Sequence, residues 1–433
     1  MDNMSQWYKM AGVVAVIAVL IGLGFLIQYI LNKRSNLNTP GNILAIKNSQ
    51  TDALESRWIG KLQARSGIKN NFESTQTPQP QQLLINTAVF STRLTGYLGP
   101  YDSGVFNEDN ATRIALNTGS RCLILEIDYE QGNYEPKLIY RDSWAMKRSI
   151  NTGSISAVAK SIAARAFSSG NNGAPASVAN DPLILVLYFI RTPNLSKDPI
   201  SYAKYLGAVA EQLEPLKDRF LGQTPQGDYR RQALESQLFF TNQTVFNNKV
   251  ILLNNADTKI FRNLKNLGLA GELGPKQDLD YITNVRLYGR ESPSPYGVTG
   301  TSGDSVKPAA VVTSPGYWLN TPTDRAQNAV ELTKEAWTLV MQPVSYDTSS
   351  SALDNKKIQD NLFNTYGVHS IPINIFEDAK TTDNFTAKGN VFNTTSWAAK
   401  PKLIQYVPPQ PISIQKPFPQ ANSGGGAVVS PKL

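Results

Sequence analysis

Two carboxylates, Glu126 and Asp128, stand two residues apart in the apolar run 121–128, RCLILEID. On a strand that spacing puts both side chains on one face. Paired carboxylates can divide acid and base work between them when their environments differ. A pair at a solvated strand end is the commoner arrangement, and it is the expectation here. Other reactive side chains are few. His369 is the one histidine of the chain and Cys122 its one cysteine. His369 precedes the run 370–376, SIPINIF, so it is expected at the N-terminal end of a strand in a structural role. Cys122 lies within an apolar strand and is expected in the core. No zinc-ligand cluster is present, and one cysteine allows no intramolecular disulfide, so the body does not rely on an oxidising compartment.

These side chains need elements to hold them. Eight short apolar segments read as strands: 83–90, 121–128, 137–140, 183–190, 249–255, 281–288, 336–344 and 370–376. Several are apolar at consecutive positions, as strands covered on both faces must be. Helical patterns fall between most of them, at 154–167, 202–221, 324–334 and 355–363. Strands alternating with helices predict an α/β fold, a TIM-type (β/α)8 barrel. The domain reading is a short flank over 1–9, a transmembrane helix over 10–31, a polar linker over 32–81 and the barrel over 82–400. A Pro- and Gly-rich extended tail covers 401–433. The linker has room for one helix near 53–62, and residues 290–320 fit no element.

The anchor has the plainest pattern. Residues 10–31, MAGVVAVIAVLIGLGFLIQYIL, are 22 residues without a charge. At 1.5 Å per residue they match a hydrocarbon core about 30 Å thick. The run is too long for a usual signal peptide and no A-x-A site follows it. Lys33 and Arg34 follow the helix, while Asp2 and Lys9 balance before it. The positive-inside rule then leaves the body on the cytosolic side, with the first nine residues across the membrane. Sequons at Asn110, Asn242, Asn384 and Asn393 are discounted, because such triplets arise by chance in an Asn-rich chain. Ala11, Ala15, Ala18 and Gly22 line one helical face and would let two anchors approach closely. The formal net charge of +8 over 433 residues is a mild surplus. With no long basic run, nucleic acid is not an expected partner. The lipid bilayer is.

The stretch 89–190 resembles the X region of phosphatidylinositol-specific phospholipase C. The first strand pattern of that family, S-H-N-T-Y-L-T-G, is matched by Val89-Phe90-Ser91-Thr92-Arg93-Leu94-Thr95-Gly96. Its A-L-x-x-G-x-R-C segment is matched from Ala115 to Cys122 and runs on to Glu126. The P-x-(I/V)-Y-H-G pattern is matched by Pro136-Lys137-Leu138-Ile139-Tyr140-Arg141-Asp142, and P-V-I-L-S-L-E-N by 182–189. The resemblance implies a TIM-type barrel. It also implies where chemistry would sit, and there the chain departs. Phe90 and Arg141 stand at the two histidine positions. Ser91, Ile124, Glu126 and Tyr188 stand where the calcium-dependent members place their metal ligands. Phenylalanine takes no proton, and arginine stays charged near neutral pH. One retained carboxylate, Glu126, does not hold Ca²⁺, which takes six to eight oxygens.

The resemblance therefore implies a barrel without the family's catalytic residues, and no cofactor or metal. The expected function is a structural or interaction scaffold on a membrane. A degenerate barrel behind an N-terminal anchor also resembles proteins of large DNA viruses. That implies a virion component on an internal membrane facing capsid proteins. The alternatives are a divergent phosphodiesterase built around Glu126, Asp128 and Arg141, or a barrel that binds phosphoinositide head groups without turnover. In the latter, Arg141 with Arg121 or Arg93 would hold the phosphate.

Overall fold

The computed structural model describes residues 2–58, 65–99, 104–130, 132–141, 147–170, 173–224, 227–228, 237–269, 271–289, 308–341, 356–376, 383, 387 and 389–409. Asp142, Asn384, the segment 290–307 and all of the tail beyond 409 lie outside the described residues.

The strands of the barrel and its flanks are β1 (Thr87–Val89), β2 (Ser91–Thr92), β3 (Cys122–Glu130), β4 (Asn133–Leu138), β5 (Leu183–Phe189), β6 (Val250–Asn254), β7 (Val285–Gly289), β8 (Ala310–Thr313), β9 (Trp337–Val340) and β10 (Trp397–Ala399), with two-residue strands at Tyr97–Leu98, Val105–Phe106, Gln223–Thr224 and Gly227–Asp228 beside them. A parallel sheet runs β2-β3-β5-β6-β7-β8-β9. Segment 369–373 closes it into a ring. On one side the Val340 N–H donates to the Ser370 carbonyl at 2.9 Å, and the Ser370 N–H donates to that of Thr338 at 3.1 Å. On the other the Val89 N–H donates to the His369 carbonyl at 2.8 Å, and the Ile373 N–H donates to that of Ser91 at 3.1 Å. Parallel pairing on both sides of this segment makes it the last stave of a barrel, as expected.

The strands form where they do because both faces are buried. On β3, Cys122 and Ile124 point into the barrel with Ile184 and Val186 of β5 and Ile251 and Leu253 of β6. Leu123, Leu125 and Ile127 point outward to the helices. Those helices are α4 (Glu108–Asn117), α5 (Ile155–Arg165), α6 (Pro199–Gln212), α7 (Ala326–Glu335) and α8 (Lys356–Asn364). The Ser154 side chain accepts from the Ala157 N–H at the start of α5. Asp198 caps α6 in the same way, with Pro199 at its first position.

Four expectations are corrected. The run 137–140 is not a ring stave. Its residues up to Leu138 belong to β4, which returns antiparallel beside β3, Ile127 facing Leu138. The missing stave is β8, drawn from the stretch 290–320 that fitted no element. The linker is not a spacer. It carries α2 (Pro40–Trp58) and α3 (Ile68–Ser74), and Leu54, Trp58, Ile68 and Phe72 are buried. Ile43, Ile46, Leu54 and Trp58 recur at helical spacing, a stripe diluted by the polar residues between. The start of the tail is also attached, since the Tyr406 ring meets Phe240 edge-on at 4.7 Å and the Tyr406 N–H donates to Asn86 Oδ1 at 2.7 Å.

Helix α1 (Asp2–Leu37) precedes these elements, and its stretch Gly12–Tyr29 is long and apolar enough to cross a membrane. Ala15, Ala18 and Gly22 are exposed along it. The side chains of Ala11, Lys33 and Arg34 lie outside the described residues.

Candidate functional site: the mouth of the barrel

The staves point their C-terminal ends at one rim, the mouth, where a barrel of this kind carries its chemistry. Glu126 of β3 lies in register with Tyr188 of β5. From the first stave, Val89 and Ser91 point inward, and at period two the next inward residue is Arg93. Its guanidinium grips Glu126 with both arms, Nε donating to Oε1 at 2.9 Å and Nη2 to Oε2 at 2.7 Å. The two side chains are 4% and 2% exposed. Just after Arg93 the backbone turns sharply. Leu94 takes φ +49°, rare for a residue with a side chain, and the Thr95 N–H donates to the Ile124 carbonyl at 3.1 Å. Buried Leu94 in the outer core holds that turn in place.

Two further arginines converge on Asp128. Arg141 Nε donates to Oδ2 at 2.5 Å. Arg191 donates from Nε to Oδ1 at 2.6 Å and from Nη2 to Oδ2 at 2.7 Å. Arg141 also reaches Glu130 at 2.9 Å, across an irregularity in the β3–β4 register between Asp128 and Glu130. The Tyr205 hydroxyl of α6 donates to the Asp128 carbonyl at 3.1 Å. Glu126 and Asp128 are thus not a solvated strand end. Both are buried, because arginines from neighbouring loops supply the counter-charge that a buried carboxylate requires.

The family positions divide between the two faces of the staves. Phe90 points outward, stacked on Phe392 at 6.1 Å with the Arg65 guanidinium over its ring at 5.4 Å. The position implied for a histidine at the mouth therefore does not face the interior, and Arg93 occupies the inward place above Ser91. Ser91 lies deep in the barrel, its hydroxyl 2.7 Å from that of Ser370. Ile124 belongs to the interior cluster. Tyr188 is buried beside Glu126 and Arg93, and among the described residues its hydroxyl has no partner. Burial, reinforced by the charge of Glu126, raises its pKa above that of an ordinary phenol.

The three arginines considered for a phosphate are not brought together. Arg93 and Arg141 hold carboxylates at the mouth. Arg121 lies at the opposite rim, the base, where Nη1 donates to the Ala166 carbonyl at 2.7 Å and Nε to that of Pro182 at 3.2 Å. Arg191 was missed in the sequence, although a lone arginine directly after the apolar run 183–190 marks a stave's C-terminal end.

The base holds several further titratable groups. The His369 ring is fully buried. Its Nδ1 accepts from the Thr338 N–H at 2.9 Å, which leaves Nε2 to donate to the Ile85 carbonyl at 2.9 Å. Burial first, and then the nearby Lys400, hold its pKa well below the usual imidazole range. Lys400 is itself buried, donating to the Thr333 carbonyl at 2.8 Å, and burial lowers its pKa well below that of a free amine. The Cys122 thiol, inside the barrel, is pushed up to about 12 by burial. Asp181 accepts from the Ile68 N–H at 3.0 Å, and burial raises its carboxyl to about 6. Among the described residues, no three His, Cys, Asp or Glu side chains are grouped to hold a metal ion. A hollow of about 720 Å³, lined by Leu213, Lys217, Phe220 and Tyr281, also lies toward the base, where Phe220 meets the start of β6.

No family model matches the sequence, and no curated protein matches it. Solved structures do. PLC21 of L. pealei superposes with a TM-score of 0.46 at 14% identity, over 76% of this chain and 40% of that one. PLC21 of S. officinalis gives 0.45 at 15% identity, over 78% and 40%. The chain thus spans well under half the length of these two proteins. A calcium-dependent phosphoinositol-specific phospholipase C from Pseudomonas sp gives 0.39 at 9% identity, over 75% of this chain and 97% of that one. The barrel itself rests on the closed ring of staves.

Proposed function

We propose that this chain is a membrane-anchored, non-catalytic barrel that serves as a structural or interaction scaffold. The observation that carries the reading is the pairing at the mouth. A general base needs a lone pair directed at substrate, and a nucleophile needs one too. Both oxygens of Glu126 face Arg93, and both oxygens of Asp128 face Arg141 or Arg191. The one histidine is at the far rim, engaged on both ring nitrogens. The partners of the scaffold are proteins, and the setting we propose is a virion, with the anchor in an internal membrane and the body on the cytosolic side facing a capsid. Lys33 and Arg34 after the anchor support that orientation.

The test is hydrolysis. The full chain, reconstituted in phosphatidylinositol vesicles with Ca²⁺, is expected to release no more inositol phosphate than protein-free vesicles. Its Tm in detergent is expected to be the same in EDTA and in micromolar Ca²⁺, whereas a specific site at a hundredfold excess over Kd would stabilise the fold by about 2.7 kcal/mol. Turnover above background that disappears in Glu126→Gln would reject the scaffold and favour a divergent phosphodiesterase.

A further inference from the structure

We infer that the anchor fastens the barrel mouth-first, so that the rim carrying Glu126 and Asp128 faces the bilayer and the base faces away from it. The inference rests on the reading of α1 as a membrane anchor and adds which face of the body the anchor holds.

It follows from the course of α2. Only Asn38 and Thr39 separate the end of α1 at Leu37 from the start of α2 at Pro40. Thr39 caps α2, its Oγ1 accepting from the Asn42 N–H at 3.4 Å, with Pro40 in the first turn. Leu37, Ile43 and Ile46 pack on the outer core, so the junction is held to the body.

The direction of α2 is set by α4. Helix α4 follows the first stave and leads through Asn117 to Cys122, the first residue of β3, so it runs from mouth to base. Helix α2 runs beside it in the same direction. Thr51 Oγ1 accepts from Asn107 Nδ2 at 3.3 Å at the mouth end of α4. Further along both helices Arg113 donates to Glu55. Gln50 lies against Gly99 in the loop before α4, and Trp58 at the end of α2 is buried. The residues of α2 before Thr51 therefore project past the start of α4 on the mouth side, by about 16 Å at 1.5 Å per residue. The anchor joins at that projecting end. From Tyr29, where the apolar stretch stops, to Leu37 is about 12 Å of helix. The mouth then lies within roughly 30 Å of the membrane surface, and staves of about 3.3 Å per residue set the base some 20–25 Å further out.

The experiment uses the full chain in vesicles with energy-transfer acceptors on the lipid head groups. Cys122 is buried, which leaves introduced cysteines as the labelled sites. On the mouth side they are Tyr134→Cys, in the β3–β4 hairpin, and Ile200→Cys, at the start of α6. On the base side they are Leu403→Cys and Val407→Cys. All four residues are exposed, and two per side cover the failure of one variant to fold. Both mouth labels are expected to transfer several-fold more strongly than both base labels. Equal transfer from the two sides, or stronger transfer from the base, would overturn the inference while leaving the anchor intact. A chain that does not float with vesicles would instead overturn the anchor reading.

Discussion

The two rims of the barrel bury charge in opposite ways. At the mouth, guanidinium groups neutralise carboxylates directly, Arg93 on Glu126 and Arg141 with Arg191 on Asp128. At the base, Arg121, His369 and Lys400 satisfy their donors on backbone carbonyls. At the mouth each carboxylate meets a guanidinium within hydrogen-bond distance. Unpaired buried groups are pushed toward their neutral forms instead. The carboxylates of the mouth are thus matched by guanidinium groups, while the base should respond to pH. A mouth built this way suits a surface held against lipid better than one that must cycle protons.

The largest expected effect would break the mouth. Arg93→Met leaves Glu126 buried without its partner and should cost about 3–5 kcal/mol of stability. The double variant Arg93→Met, Glu126→Leu should recover most of that loss, because no uncompensated charge remains. Denaturant unfolding of the full chain in detergent measures both. A loss below about 1 kcal/mol in the single variant would show a solvated pair and an open mouth.

The next effect sharpens the contrast at the base. Burial raises the Asp181 carboxyl to about 6 in the folded chain, above the ordinary aspartate value near 3.8. Between those values the native state holds a proton that the unfolded state has released. Wild-type stability therefore falls as pH rises through the window, on the order of 3 kcal/mol in all. Asp181→Asn can still accept from the Ile68 N–H and has no proton to release in this window. Relative to wild type it should gain about 2 kcal/mol between pH 4 and pH 7. A pH-independent difference between the two proteins would mean that Asp181 is solvated.

The smallest effect has the opposite slope. His369 stays neutral when folded, while an unfolded histidine takes up a proton below about pH 6.5. Stability is then lost as pH falls, by roughly 1–2 kcal/mol between pH 7 and pH 5.5. His369→Gln keeps a donor for the Ile85 carbonyl and should remove that component. An unchanged slope in the variant would place the sensitivity elsewhere.

The long apolar N-terminal helix and the central staves could be read directly from the chain, because their signal is local. Residues 10–31 are uniformly apolar, and the runs that became β3, β5 and β6 are apolar at consecutive positions. The last stave, 369–373, was also legible from the run 370–376. Other elements left weaker traces. β8 is a four-residue segment with no helix pattern before it. The run 137–140 looked like a stave because a hairpin's return strand has the same apolar content. Trp58, Ile68 and Phe72 lie among polar residues, so the stretch around them read as linker although it packs on the barrel.

At the mouth the sequence by itself determined which residue types were available: carboxylates at 126 and 128, and no histidine near them. It also determined that 433 residues contain one histidine and one cysteine, which leaves little for general acid–base work. Only the tertiary structure decided which charges meet. Arg93 follows its stave by one residue, Arg141 lies beyond a hairpin and Arg191 comes 63 positions after Asp128, and no local pattern links them. Strand parity decided that Phe90 turns outward and Arg93 inward, and the ring of staves decided that His369 lies at the far rim. The physical reason is that pairing depends on distance in space, which is set by stave register and loop path, whereas composition and periodicity report only what a residue does with its neighbours along the chain.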